Sequence, residues 1–343
     1  MGTTNTYSST YPRKMQQSMR LLSDLQPKLL FGKFGARDTL NQRTGKKAVF
    51  RRYFSLPSPV AQSGEGETAI GQQITYEDVT FNIVHFMSKV PLTKDMQLFH
   101  EDDLEAVGRE KIPQQLSETD DIYMFYQCRA GTSVRYAGGV ASRLLVTSAP
   151  TRTDFDLIVR DLTDVPRISK IVTASMDTDT HPVKAAYVAF FHPHLAADIA
   201  NTTGFILAEN YGKQELLDPE ELGTSPSGIR FLPSSLIKPW LAAATSISVS
   251  QTTYLANGVA AAGYPDVYPI LVFGEEAFGH LNLKSYRSMD VSVIRPGSDK
   301  AKTVNDPTGE NGCVAAELYT GGGILDERRL VRYECACSAR PGA

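Results

Sequence analysis

The chain has 343 residues, 35 of them basic and 38 acidic, for a formal charge of −3. That length supports a large core and suggests two folding units. The near balance of charge argues against a dedicated nucleic-acid binder, which carries a basic stripe, and no apolar run has the ~20 residues needed to cross a bilayer as a helix.

The start, MGTTNTYSST, is polar and unlike a secretory leader, and residues 1–12 read as a disordered tail. Lys14–Leu30 places Met15, Met19, Leu22, Leu25 and Leu29 on one side of a short amphipathic helix, with Pro27 near its end and Gly32 and Gly35 beyond it. KAVFRRYF at 47–54 predicts a strand ended by Pro57 and Pro59. Residues 61–73, AQSGEGETAIGQQ, have no periodicity and read as an exposed loop or hairpin tip. Val79–Val90 alternates and predicts one strand leading into the longest helical segment of the chain.

That segment is Glu101–Gly131. Leu104, Val107, Ile112, Leu116, Ile122, Tyr123 and Tyr126 recur at roughly helical spacing, and Glu101, Asp102 and Asp103 suit the positive end of a helix. Thirty helical residues would run roughly 45 Å. Pro113 should kink or divide the helix, and two ordinary core helices are the alternative. The hundred residues before it hold little core of their own. This suits arms that pack on neighbours, or else a peripheral subdomain.

Downstream, YAGG at 136–139 reads as a turn. Thr151 and Asp154 mark a helix start with Phe155, Leu157, Ile158 and Leu162 inward. Strands are expected at 170–174, 185–191, 229–232, 267–273, 291–294, 314–319 and 330–333. A short helix is opened by His192-Pro193 and runs through Ile199, and a short helix or turn follows at Gly274–Gly279. Leu241–Gly263 is rich in Ala, Ser and Thr and carries no assignable pattern. Helices and strands mix without the rhythm of a doubly wound sheet, so the class is α+β.

No motif reaches a catalytic claim. His192, His194 and Asp198 fit a helix start better than a metal site, and four cysteines without a C-x-x-C pair read as free thiols in a reduced, cytosolic chain. Gly321-Gly322-Gly323 lacks the Lys-Ser/Thr of a phosphate loop and suits a turn. Ser235 and Lys238 form an isolated S-x-x-K pair without companion motifs. Asp102, Asp103, Asp120 and Asp121 read as solvated helix charges. The candidates for subunit contact are Arg51, Arg52, Glu65 and Glu67. The arginine pair is suited to phosphate or to a neighbour's carboxylate.

Several segments, taken together and in order, resemble one family. KLLFGKFG at 28–35 and FRRY at 50–53 are similar to its opening. FFHPHLAADI at 190–199 is similar to its histidine-proline element. ELGTSPSGIRFLPSS at 221–235, with Gly223, Gly228, Arg230 and Phe231, VYPILVFGEEAFG at 267–279 and DPTGENGCVA at 306–315 complete the series. Together they resemble the N-four-type coat family of tailed-bacteriophage major capsid proteins, which has the Hong Kong 97-like capsid fold. Pro113, and Ala316-Glu317 where the family commonly has tryptophan-lysine, depart from its pattern.

The resemblance implies an N-terminal arm (1–53), an extended loop (54–80), a peripheral domain with a long spine helix (81–164 and 291–343) and an axial domain (165–290). It implies a non-enzymatic coat protein without cofactors, made in the cytoplasm of a bacterial host and ending in the virion. Its partners would be other copies of itself in pentamers and hexamers, a portal, scaffolding or decoration proteins, and packaged DNA on the inner face without sequence specificity, with no membrane. A decoration protein and a soluble α+β hydrolase using His192, His194 or a serine are the competing readings.

Overall fold

The computed structural model describes residues 27, 29–41, 45–58, 66, 71–100, 103–168, 185–211, 216–241, 243–244, 265–283, 289–302 and 306–338. Several expectations lie outside these residues. They are the tail at 1–12, the helix Lys14–Leu30 apart from residues 27, 29 and 30, which are not helical, the strand at 170–174, most of the tract at 241–263, Glu101 and Asp102, and Glu65 and Glu67 with most of their loop.

Apolar runs without alternation belong to strands buried on both faces, and the second half of the chain builds one sheet from such runs. Its strands, in sheet order, are β5 (Val134–Tyr136), β14 (Leu330–Ala336), β10 (Val267–Phe273), β6 (Tyr187–Phe191), β9 (Ile229–Pro233), β8 (Gly223–Thr224) and β7 (Ile206–Leu207). Along β6 successive side chains go to opposite faces. Tyr187, Ala189 and Phe191 join Phe155, Ile158 and Leu162 of α4 (Arg152–Asp161) and Ile199 of α5 (Ala196–Ala200). Val188 and Phe190 join a second core with Phe31 of α1 (Phe31–Phe34) and with Met124, Phe125 and Cys128 of α3 (Leu104–Arg129). The helix α4 starts as its sequence indicated, with Thr151 and Asp154 forming a capping box. Leu157 is only half-buried.

A second sheet is organised on one long strand, β13 (Asn311–Ile324). It pairs antiparallel with β4 (Val84–Thr93), with β12 (Met289–Ile294) and, at its far end, with β11 (Phe278–Leu283), which carries β1 (Ala36–Leu40) in parallel. Helix α3 lies over this sheet through Ile112 and Leu116, against Leu92, Val314 and Leu318. Its N-terminal half therefore covers one sheet and its C-terminal half the other.

Pro113 does not divide α3, which runs as one helix of 26 residues, about 39 Å, from an Asp103 N-cap that accepts from Glu105 N and Ala106 N. A helix-interior proline costs about 3 kcal/mol. Burial of Ile112 and Leu116 on either side of it is worth about as much or more, at roughly 1.5–3 kcal/mol each. The expected single strand at 79–90 is also corrected. It is two strands, β3 (Tyr76–Asn82) and β4, which part at Ile83, so β3 pairs with β2 (Lys47–Tyr53) while β4 joins β13.

The three glycines at 321–323 are not a turn but the last part of β13. A Cβ on Gly321 would stand 2.7 Å from the Asn82 carbonyl oxygen, and one on Gly323 would stand 2.8 Å from the Phe81 ring. Glycine here is what lets the end of β3 lie directly on the sheet. The segment Gly274–Gly279 is a turn that passes into β11 rather than a helix.

Candidate assembly surface

The ribbon β2–β3 leaves the body as a two-stranded antiparallel hairpin, with Lys47 opposite Asn82 and Tyr53 opposite Tyr76. Its base is seated. Ala48 is buried, Phe50 and Phe81 meet edge to face at 5.7 Å, and both rings pack where Gly279 and Gly323 leave room. Towards the tip the apolar side chains Val49, Tyr53, Phe54, Leu56, Ile74 and Tyr76 are exposed. The short helix α2 (Lys94–Phe99) buries none of its residues, and Phe99 is among the most exposed apolar side chains. Clusters of exposed large apolar side chains are a feature of interaction surfaces.

Strand alternation puts Arg51 and Arg52 in different surroundings. Arg51 makes a two-pronged pair with Asp78, Nε to Oδ1 at 2.7 Å and Nη2 to Oδ2 at 2.8 Å, and its guanidinium lies 4.3 Å from the Tyr76 ring. The bond from Arg51 holds the Asp78 carboxyl below the usual carboxylate range, and Arg51 itself is raised by the same bond. Arg52 pairs with Glu77 at 2.5 Å and reaches the body at buried Asp326. Burial would raise Asp326, but hydrogen bonds from the Arg328 side chain and backbone, with the charges of Arg52 and Arg328, outweigh it and hold the carboxyl low.

So both arginines have partners inside their own chain. Glu77, Asp78 and Asp326 were not singled out in the sequence. The register that pairs Arg51 with Asp78 and Arg52 with Glu77 would have shown the first two, had 76–78 been read as strand. Asp326 has no sequence signal, because it comes from another sheet.

Two carboxylates expected on a solvated helix face are instead structural. Asp121 is buried and accepts from Leu30 N at 2.9 Å and Phe31 N at 3.0 Å, which ties the N-terminal segment to α3. Burial, opposed by those backbone bonds, pushes its carboxyl up to about 6. Asp120 accepts from Thr320 Oγ1 at 2.6 Å and contacts His280 Nε2 at 3.0 Å. Thr320 Oγ1 also meets that same nitrogen, at 3.2 Å. A nucleophile–base–acid relay uses both ring nitrogens, one for each partner; here Nε2 takes both contacts, and Nδ1 has none among the described residues.

His192 caps its helix by accepting from His194 N at 3.2 Å. Burial, with His194 beside it, lowers it to about 4, so the ring is neutral. The reading of these residues as a helix start is therefore what the structure has. Among the described residues no group of three or more His, Cys, Asp or Glu side chains is arranged to hold a metal ion. All four cysteines are free thiols, Cys128 and Cys335 buried.

The family-like motif at 221–235 is likewise interior. Arg230 and Glu221 are both buried and 3.3 Å apart, and Glu221 also accepts from Tyr211 Oη at 2.6 Å. Gly228 turns the chain between β8 and β9 at φ +86°.

No protein-family model and no curated protein matches the sequence. Solved structures do match, over nearly the full length of both chains. The capsid of Ralstonia phage GP4 superposes with a TM-score of 0.68 at 13% identity, covering 98% of this chain and 99% of that one. This chain has the Hong Kong 97-like capsid fold. The capsid chain of cyanophage Pam1 gives 0.64 at 11% identity, with 97% and 98% covered, and that of cyanophage P-SCSP1u gives 0.60 at 16%, with 94% and 92% covered. The projecting ribbon and the long helix are thus parts of a fold shared with phage capsid chains. No helix among the described residues is long and apolar enough to cross a membrane.

Proposed function

We propose that the chain is the major coat subunit of a tailed-phage head, which self-assembles into an icosahedral shell around double-stranded DNA. The observation that carries this reading is the end-to-end agreement with capsid chains, a fold shared over 98% of this chain and 99% of the Ralstonia phage GP4 capsid chain. The exposed hairpin and α2 support it, since closed symmetric assemblies bury such faces between copies. In this reading the partners are other copies in pentamers and hexamers, a portal, scaffolding or decoration proteins and packaged DNA, and the protein is not an enzyme. The division into arm (1–53), loop (54–80), peripheral (81–164, 291–343) and axial (165–290) parts belongs to the same proposal. Strand β14 lies in the peripheral span yet pairs with β10, and β11 lies in the axial span yet pairs with β13.

Expression of the chain, alone and with a scaffolding partner, followed by sedimentation and negative-stain microscopy, tests the proposal. Closed shells or curved shell fragments are expected. A strictly monomeric or dimeric species at high concentration in both conditions overturns it.

A further inference from the structure

The two sheets exchange strands at one corner. β10 of the first sheet runs through residues 274–277 into β11 of the second, and β13 of the second returns through residues 325–329 into β14 of the first. These crossings lie side by side, since Phe273 pairs with Leu330 at one end of them and Phe278 with Ile324 at the other. Residues 274–277 on one crossing therefore face residues 325–329 on the other, one residue more, the kind of mismatch by which strands bend from sheet to sheet. Backbone bonds close the corner at its ends, from Gly274 N to the Arg329 carbonyl at 3.1 Å and from Leu325 N to the Ala277 carbonyl at 2.9 Å. Between them Glu275 N turns away to the Pro166 carbonyl at 3.0 Å, and Glu276 takes φ +55°, a left-handed conformation that strains a glutamate.

Side chains hold what the backbone leaves open. Arg329 Nη1 bridges the crossings by donating to the Glu275 carbonyl at 3.0 Å, and its Nε lies 3.5 Å from Asp326. Asp326 is buried and also accepts from Arg328 N at 3.0 Å and Arg328 Nε at 3.2 Å. One more cation reaches this carboxylate, and it belongs to neither crossing: Arg52, from strand β2 of the ribbon. Reaching both Asp326 and Glu77 leaves Arg52 Nε buried without a hydrogen-bond partner among the described residues, a mark of strain at this joint.

The ends of the crossing at 274–277 rest on a layer of rings. Phe273 and Phe278 meet edge to face at 5.2 Å, and Phe31 meets Phe278 at 5.7 Å. Apolar contact is non-directional, so these rings can turn on one another without losing burial, whereas the bonds at Asp326 hold in one geometry. The corner thus combines a permissive contact with a fixing one, and Arg52 belongs to the fixing one.

Regular ladders at both ends, mismatched crossings between them and side chains in place of backbone bonds are the parts of a hinge. We propose that residues 274–277 and 325–329 form a hinge between the two sheets, and that Arg52 on Asp326 makes the ribbon its lever. Movement of the ribbon then acts on the corner, and a change at the corner acts on the ribbon, because such coupling is reciprocal. The device lies within one subunit and does not rest on the coat-subunit reading. Any partner that grips the ribbon would act through it on the angle between the sheets.

Hydrogen exchange on the unassembled subunit, resolved by overlapping peptides, tests it, with β10 as the internal reference. In wild type the amides of the two crossings should exchange faster than those of β10. R52A should speed exchange over 274–277 and 325–329 at least threefold more than over β10, as well as in the ribbon. Arg329 makes no hydrogen bond or ion pair with the ribbon among the described residues. R329K should nevertheless speed exchange in β2 and β3 at least threefold more than in β10. R51A, one residue along the ribbon, should change neither region. An R52A that speeds only the ribbon, or an R329K that speeds only the corner, shows two independent anchors and overturns the lever. Crossings that exchange no faster than β10 in wild type overturn the hinge itself.

Discussion

Strands β10 and β3 are each seven residues long and live in opposite surroundings. Every residue of β10, VYPILVF, is buried, with β14 and β6 on its edges and a core on each face. No residue of β3, YEDVTFN, is buried, and its one ladder partner is β2. An isolated two-stranded ribbon is marginal in water. The body can therefore fold on its own burial, whereas the ribbon depends on its seated base, its ion pairs and whatever covers its exposed side chains. The physics that leaves the hairpin poorly buried also leaves its side chains available to another surface.

The largest effect that could break this comparison is a truncation on each side of it. Phe190 is fully buried and meets Phe31, Phe34 and Phe273 edge to face at 5.0, 5.4 and 4.8 Å. Phe190→Ala should cost the unassembled subunit about 3–5 kcal/mol in denaturant unfolding. Val49→Ala, on the exposed ribbon, should stay within about 0.5 kcal/mol. Comparable losses from the two variants would mean that the ribbon is part of the folding core after all.

A somewhat smaller effect concerns how the N-terminal segment is held. The folded pKa of Asp121, about 6, lies above its ordinary value of 3.8, so between these values the native state binds the proton that the unfolded chain releases. The resulting stabilisation is fully present below about pH 3.8 and is lost as pH rises through about 6, and amounts to at most roughly 3 kcal/mol. The stability difference between wild type and Asp121→Asn, which does not titrate, should therefore fall as pH rises from 5 to 7.5. A difference that is flat or grows over that range removes Asp121 as the source.

Legibility in the sequence followed the same division. β10 was readable to the residue because an unbroken apolar run has one use in a mixed fold, and α4 was readable because Thr151 and Asp154 announce its start. Features set by long-range contact were not. Asp121 looks like any helix-surface carboxylate until Leu30 and Phe31, ninety residues away, donate to it. The glycines at 321–323 look like a turn until Asn82 and Phe81 lie across them. The candidate surface was legible in part: its arginines stand out in the sequence, whereas Asp326 enters only through packing between sheets.

The smallest effect is the most discriminating, because it separates the two arginines. Arg52 ties the ribbon to the body through buried Asp326, which also has Arg328 and Arg329 within 3.5 Å. Removing Arg52 therefore weakens a shared pair instead of stranding a charge. About 1 kcal/mol is expected on the subunit, together with faster hydrogen exchange in β2 and β3. Arg51 sits on exposed surface with Asp78 and Tyr76, where ion pairs add little to the isolated subunit. R51A should leave both the melt and the exchange rates unchanged. If the guanidinium becomes covered by a neighbouring copy, however, its pair with Asp78 gains strength as water leaves, and shell yield should drop in R51A more than in R52A. Sedimentation of both variants, beside exchange on the unassembled subunits, decides the matter. Equal yields from the two variants would show that Arg51 stays solvated in the shell, and would confine the ribbon's contacts to its apolar side chains.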